Sequence, residues 1–258
     1  VGLHLWYLRA RSGGGAGGVF NAGPTGSLPQ LQGAARLDFR EDGETAQPAT
    51  DADLLWLGLD GGYNHTLTDG AFGVHGVAVA NLGAIKPEGR DNVTVSGLLA
   101  DVEARLRWAR GKGSVLRAEA LYTSGDEPGG NYAGVITGNT YGLVGALNPT
   151  HGSLLLFPDP FSINRYVSVV HDPSNYGDGV LGLSSTLGYD PIPNRLTTQV
   201  GVAQAFANGE SLGTEINGRI VGSPLLFLNT GLYGGVVLGS EFEATPWMMY
   251  LGVDWVVF

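Results

Sequence analysis

Apolar and polar residues alternate with a period of two along most of the chain. The segment 101–108 is the clearest case, because charged residues hold its odd positions and apolar residues hold its even positions. Successive side chains of a β-strand point to opposite faces, so this pattern predicts a strand with one charged face and one apolar face. The segments 114–124 and 213–222 repeat the pattern. Helical periodicity is weak throughout, and the sequence therefore predicts an all-β protein.

Ten long strands follow from this alternation. They are predicted at residues 2–10, 53–67, 72–85, 98–110, 114–124, 179–190, 195–207, 213–222, 225–239 and 247–258. Many exceed the usual strand length of roughly 5–6 residues in globular sheets. A tilted strand needs about 9–11 residues to cross a lipid bilayer, so these lengths suit a membrane crossing.

The predicted connections alternate between long and short. The short ones are 68–71, 111–113, 191–194 and 223–224, and the long ones are 11–52, 86–97, 125–178, 208–212 and 240–246. Transmembrane β-barrels have short turns at one rim, longer loops at the other, and an even number of strands. We therefore predict a transmembrane, antiparallel, up-and-down β-barrel as a single domain over 1–258, with long outer loops at 11–52 and 125–178.

A soluble β-sandwich is the alternative fold. Its polar rows would simply be the solvated face of each sheet. Nearly every predicted strand, however, has an apolar face opposite the polar one, and no helix is predicted that could cover it. A surrounding lipid layer covers that face without a further element, and this favours the barrel.

Composition narrows the classes of function. Cys is absent, so the chain has no disulfide framework and no cysteine metal site. No run approaches the roughly 18 apolar residues of a transmembrane helix. The net charge of −10 argues against a nucleic-acid partner, because no basic stripe could follow phosphates. The chain begins with Val and shows no signal peptide, so we expect a mature or truncated product.

Motifs of catalysis are absent from the sequence. The chain contains no nucleophile elbow, no zinc-protease motif and no P-loop. Carboxylates and a histidine at the outer rim, Asp126, His171, Asp172 and Asp178, could activate water, but chance placement explains them better. We therefore predict no enzyme, no catalytic residue, no metal ligand and no cofactor, and an outer-membrane hydrolase is the least favoured function.

The charged faces of the strands are predicted to line the lumen and to set its selectivity. The candidate residues are Arg105, Arg107, Arg117, Arg219, Asp101, Glu103, Glu119 and Glu215. Rings of charged side chains decide which ions pass a pore. Mixed signs on neighbouring strands are also expected to produce a field across the lumen.

The long loop 125–178 carries apolar residues that need cover. Leu154, Leu155, Leu156, Phe157 and Phe161 are the main ones. Loops of this length without secondary structure are usually functional or disordered. We expect the loop to fold inward and to act as a constriction. The alternative is an outer flap that packs on a neighbouring protein.

Several motifs resemble those of the alginate-export-type outer-membrane porins. They are Tyr122–Asp126 at the opening of the long loop, Phe157–Pro160, Asn164–Tyr166, Asp190–Asn194, Thr214–Asn217 and the final strand to Phe258. The resemblance covers roughly residues 114–258. It implies an outer-membrane channel with a charged, often arginine-lined lumen that passes anionic saccharides or other small solutes. Barrels of that family have about eighteen strands, so the ten predicted here are expected to be the C-terminal portion of a larger barrel.

The expected function is a porin-like channel in the outer membrane of a Gram-negative bacterium. It would pass small polar or anionic solutes or saccharides. The alternative is a non-conducting barrel that serves as a binding or scaffold component of an envelope assembly. The expected partners are the lipid bilayer, lipopolysaccharide, these solutes and envelope proteins.

Overall fold

A computed structural model describes residues 1–11, 49–87, 91–125, 132–135, 153–157, 178–193, 195–225, 228–239 and 244–255. In this part of the chain ten strands form one antiparallel sheet, and their order in space follows their order in sequence. The strands are β1 (Gly2–Arg11), β2 (Ala49–Tyr63), β3 (Phe72–Pro87), β4 (Val93–Arg107), β5 (Val115–Thr123), β6 (Val180–Ile192), β7 (Leu196–Ala207), β8 (Glu210–Leu225), β9 (Leu228–Leu238) and β10 (Trp247–Trp255).

All ten predicted strands are present, and the differences lie at their ends. β2 begins four residues before the predicted position 53 and stops at Tyr63 instead of 67. It stops there because Asn64 and Leu67 adopt left-handed φ angles of 46° and 56°, and the N–H of Leu67 donates to the carbonyl of Asn64 at 2.8 Å. β4 begins at Val93 instead of 98, so the predicted loop 86–97 is much shorter.

Two predicted connections are wrong. The residues 223–224 are not a turn but part of β8. The predicted long loop 208–212 is a two-residue turn, in which Asn208 and Gly209 have φ angles of 51° and 81°. Asn-Gly favours such a hairpin turn because both central residues need positive φ.

The two ends of the sheet therefore differ less than predicted. We call the end where β2 meets β3, β4 meets β5, β6 meets β7 and β8 meets β9 the short-turn rim, and the opposite end the long-loop rim. The turn at 208–209 joins β7 to β8 at the long-loop rim. The expectation that tight turns occur at one rim alone is wrong at this hairpin.

The sheet is not closed. In the described residues β1 pairs with β2 and β10 pairs with β9, and no pairing joins β1 to β10. The ten antiparallel up-and-down strands are thus confirmed, whereas the closed barrel remains a prediction.

One face of the sheet is buried and the other is exposed. In β4, Asp101 and Glu103 are buried on the inner face, and Val102 points to the outer face. The apolar residues that alternate with polar ones on or next to β4, β5 and β8 are 38–52% exposed on the outer face: Val102, Leu106, Trp108, Leu116, Tyr122, Ile216 and Ile220. The sequence of β1 is apolar at both parities, and the structure exposes Leu3, Leu5 and Tyr7 on the outer face.

The long loop folds against the inner face where it is described. Residues 132–135 lie beside the first part of β4, which is not paired with β5. There Tyr132 forms an isolated parallel bridge to Val95. We call the segment 153–157 the plug segment. Its buried side chains Leu155, Leu156 and Phe157 belong to one apolar core cluster together with Tyr132 and Val135. These two pieces pack on the inner face as the inward fold predicts, whereas Phe161 lies outside the described residues and the constriction stays a prediction.

Candidate functional site: a charged inner face and its basic cavity

The charged candidates are sorted by sign into rows that run across the strands. Glu103 of β4 pairs with Glu119 of β5, and Arg105 pairs with Arg117. The eight predicted lumen residues belong to the inner-facing parity of their strands, but like charges lie side by side. The sign therefore changes along the strands, and the predicted mixing of signs between these two neighbouring strands is wrong. The register of the β4–β5 hairpin, which the sequence pattern does not show, decides this arrangement.

Asp101, Glu103 and Glu119 form a buried acidic row, and only some of their carboxylate oxygens have hydrogen-bond partners. Arg105 Nη2 donates to Glu103 Oε2 at 3.1 Å, and Arg105 Nε donates to Oε1 of the same carboxylate. Asp101 Oδ1 and Glu119 Oε1 are buried without a hydrogen-bond partner in the described part of the chain. A carboxylate bound by a guanidinium fork is well compensated, whereas its two neighbours are not.

His65 connects the β2–β3 turn to this row. Its Nε2 lies 3.3 Å from Glu103 Oε1, and its carbonyl accepts a hydrogen bond of 3.3 Å from Arg105 Nη1. Its ring stands 5.0 Å from the ring of His75. Burial lowers the pKa of His65, and the charge of Arg105 lowers it further, although Glu103 opposes the change. The sequence offered no signal for His65, because the turn that carries it was predicted to be strand.

A basic cavity of about 650 Å³ lies at the short-turn rim. Three arginines of the inner face, Arg105, Arg107 and Arg117, line it together with Lys112 of the β4–β5 turn. The remaining walls come mainly from the turns: Thr66, Leu67, Thr68, Gly111, Val115 and Pro193. Its volume lies in the range of small-molecule sites, roughly 300–1,000 Å³.

Two of these arginines are uncompensated. Arg107 Nε is buried without a hydrogen-bond partner among the described residues. Arg105 is bound to Glu103, but within the same part of the chain Arg107 and Arg117 form no ion pair. A group of cations without protein counterions attracts small anions. The sequence identified the arginines, whereas Lys112 joins them only because of the fold of its turn.

Glu215 holds the plug segment. Its side chain is fully buried, and its carboxylate accepts hydrogen bonds from the backbone N–H groups of residues 154–156 at 2.6–2.9 Å. It also accepts from Ser153 Oγ at 2.6 Å and from Asn217 Nδ2 at 2.7 Å. Glu215 lies on the inner face as expected for a lumen residue, but beneath the plug segment instead of beside open space.

Arg219 lies apart from the basic cavity. Its Nε donates to Gln199 Oε1 at 2.8 Å, and its register partner on β9 is Tyr233. Tyr233 stacks on Tyr250 of β10 with ring centroids 4.6 Å apart. Arg219 therefore belongs to a polar and aromatic part of the inner face near the β10 edge.

Asp190 joins two of the turns that wall the cavity. It is buried, its Oδ2 accepts from the N–H of Gly113 at 2.7 Å, and its Oδ1 accepts from Thr197 Oγ1 at 2.8 Å. A Cβ on Gly113 would lie 2.1 Å from Asp190 Oδ1, so only glycine allows this approach. The carboxylate thus connects the β4–β5 turn to the β6–β7 hairpin.

The described ranges contain no helix that is long and apolar enough to span a membrane. The same ranges contain no group of three or more His, Asp or Glu side chains that could hold a metal ion. No family model and no curated protein matches the chain. The resemblance to alginate-export-type porins therefore stays a prediction.

Proposed function

We propose that the chain forms the wall of a porin-like channel in the outer membrane of a Gram-negative bacterium, and that small anionic or polar solutes, including saccharides, enter it through the basic cavity. The observation that carries this proposal is the contrast between the two faces of the sheet. The inner face gathers charges of both signs, whereas the outer face of the described strands is mainly apolar and carries no charged side chain between its rims. Such a contrast suits a wall with water on one side and lipid on the other.

The outer face supports the membrane part of the proposal. Its charged residues in the described strands lie at the long-loop end: Arg9, Asp51, Asp53 and Lys86. Exposed aromatic residues occur toward both rims, with Tyr63, Phe72, Trp108 and Tyr189 at the short-turn rim and Tyr7, Tyr122 and Trp247 at the long-loop rim. Aromatic residues at two levels suit the interfaces of a bilayer, where lipid and lipopolysaccharide would be the partners.

The basic cavity supports the choice of anions. The chain carries 14 cationic side chains of Lys and Arg and a net charge of −10, yet four cations line this one cavity. Charged rings in a pore decide the sign of the ions that pass. The acidic row lies on the far side of these cations, so an anion meets attraction at the short-turn rim first.

The test is the reversal potential under a salt gradient in planar bilayers. For the wild type we expect anion selectivity, and for Arg107→Glu with Arg117→Glu a shift toward cations, because these two arginines line the cavity and form no ion pair within the described part of the chain. Arg105 is left in place because it binds Glu103. Arg9→Glu with Lys86→Glu makes the same change in net charge at the long-loop end of the outer face and should leave the potential unchanged. An equal potential in all three proteins would refute the assignment of the cavity.

A non-conducting barrel that binds or scaffolds envelope proteins is the second candidate. The plug segment favours it, because Leu156 and its neighbours occupy the inner face at the long-loop half. Absence of any current from protein that is correctly inserted in the bilayer would favour this function over the channel.

A further inference from the structure

We propose that Glu215 is a latch for the plug segment, and that removal of its carboxylate releases residues 153–157 from the inner face while the sheet stays folded. The latch is inferred from hydrogen bonds alone. It rests on the proposed channel only for its consequence, which is a wider path from the basic cavity toward the long-loop rim.

Between the plug segment and the sheet, every polar contact found among the described residues passes through this one side chain. The three N–H groups of residues 154–156 and the hydroxyl of Ser153 all donate to the Glu215 carboxylate. The next N–H, that of Phe157, donates to Ser153 Oγ at 2.7 Å, so it is satisfied inside the segment. In the described chain the plug segment forms no backbone hydrogen bond with a strand. A carboxylate in a concave set of successive N–H groups is a strong anchor, because the bonds are charge-assisted.

The remaining contacts of the plug segment are apolar. Leu155, Leu156 and Phe157 pack in the core cluster. The Phe157 ring lies over Gly182 of β6, where a Cβ would come within 2.6 Å of Phe157 Cζ. Such contacts favour the inward position but do not satisfy backbone groups. Without the carboxylate, three N–H groups would be buried without an acceptor, which is costly. The segment can restore their hydrogen bonds by moving to water.

Packing beneath the segment is incomplete. A small space of about 10 Å³ lies between Glu119, Ser153, Phe157 and Ser184. Glu119 borders this space, and its Oε1 has no hydrogen-bond partner in the described residues. Glu119 is thus a buried carboxylate next to the plug segment that does not hold it. This makes Glu119 the matched control for Glu215.

The experiment uses a single cysteine, because the chain has none of its own. Leu156 is fully buried, and Leu156→Cys places a thiol inside the plug segment. A water-soluble maleimide should label this thiol slowly in the folded protein. Adding Glu215→Ala should accelerate labelling by about tenfold or more, because the segment leaves its site. Adding Glu119→Ala, which removes another buried carboxyl group beside the segment, should leave the rate near that of Leu156→Cys alone.

Two measurements separate release of the segment from loss of the fold. Amide hydrogen exchange of β7 and β8 should stay slow in the Glu215→Ala protein. Acetate, which replaces the atoms that this substitution removes, should slow the labelling again, because it can occupy the vacated N–H groups. Unchanged labelling with Glu215→Ala would overturn the proposal. Fast exchange of β7 and β8 would overturn it as well, since the segment would not leave independently of the sheet.

The proposed channel is judged separately. If the wild type conducts, Glu215→Ala should raise the single-channel conductance. If no variant conducts, the channel fails, and the labelling rates still decide whether Glu215 is a latch.

Discussion

Single carboxylates organise the interior of this protein at positions where the sequence shows only alternation. Glu215 and Glu119 occupy corresponding inner-face positions on β8 and β5. One accepts hydrogen bonds from the plug segment, and the other has an oxygen without a partner among the described residues. The difference comes from the plug segment, whose N–H groups donate to Glu215 and not to Glu119. A charged residue at an inward position can therefore be an anchor, a counterion or an element of selectivity, and its contacts decide which.

Asp190 allows a direct measurement at this scale. We expect Asp190→Ala to lower the free energy of unfolding by about 1–3 kcal/mol, because it removes the buried acceptor of Gly113 N–H and Thr197 Oγ1. Equilibrium refolding in detergent or lipid would measure this. Asp69→Ala, an exposed position at the same rim, makes the same change in charge and should have little effect. Equal values for both variants would contradict the role of Asp190.

β4 shows how one strand combines two environments. Its outer face carries Val102 and Leu106, with Trp108 directly after the strand, and its inner face carries Asp101 to Arg107 at alternate positions. Trp108 donates its indole N–H to the carbonyl of Gly188 at 2.9 Å and stacks on Tyr189 at the short-turn rim. Leu106 lies close to this aromatic pair, whereas Val102 lies nearer the middle of the strand. The two positions, Val102 and Leu106, therefore lie at different distances from the short-turn rim on the same outer face.

Arginine substitution along β4 tests whether lipid covers that face. In a bilayer, Val102→Arg should cost about 2–4 kcal/mol of unfolding free energy, and Leu106→Arg should cost less, because a charge near the interface costs only about 0–1 kcal/mol. Refolding into lipid vesicles gives both values. Val102→Ala serves as the control for loss of the side chain. Equal, small costs at the two depths would indicate that water and not lipid contacts this face.

At the scale of the whole molecule, the open sheet is the main constraint on function. β1 and β10 each have one edge without a strand partner in the described residues. In hydrocarbon every backbone polar group must be paired, so a strand edge cannot face lipid. Insertion therefore requires that these edges pair with each other or with further strands. In a closed barrel of these ten strands β1 pairs with β10. In the wider barrel implied by the resemblance, further strands pair with these edges.

Amide hydrogen exchange distinguishes the two states of the edges. For the sheet as described, alternate amides of β1 and β10 should exchange fast, whereas those of β3 and β4 should be protected by pairing on both sides. The same measurement in lipid should show protected edges if the barrel closes on insertion. Fast exchange of β1 in a bilayer, with the interior strands protected, would contradict a closed transmembrane barrel.

The sequence by itself determined the strands and their faces. A period of two is a local property, since each side chain points opposite to its neighbour. It located all ten strands and placed residues such as Leu116 and Ile216 on the outer face. It also placed the charged candidates on the inner-facing parity. Errors occurred at strand ends and turns, as at Asn64 and at 208–209, where the φ angles of single residues decide.

The tertiary structure alone decided how these residues combine. The pairing of Glu103 with Glu119 and of Arg105 with Arg117 depends on the register of a hairpin, which alternation within one strand does not reveal. The approach of Lys112 to these arginines and of residues 154–156 to Glu215 joins parts of the chain that only the fold brings together. Local pattern fixes the direction of a side chain, but its partner is chosen by the path of the whole chain.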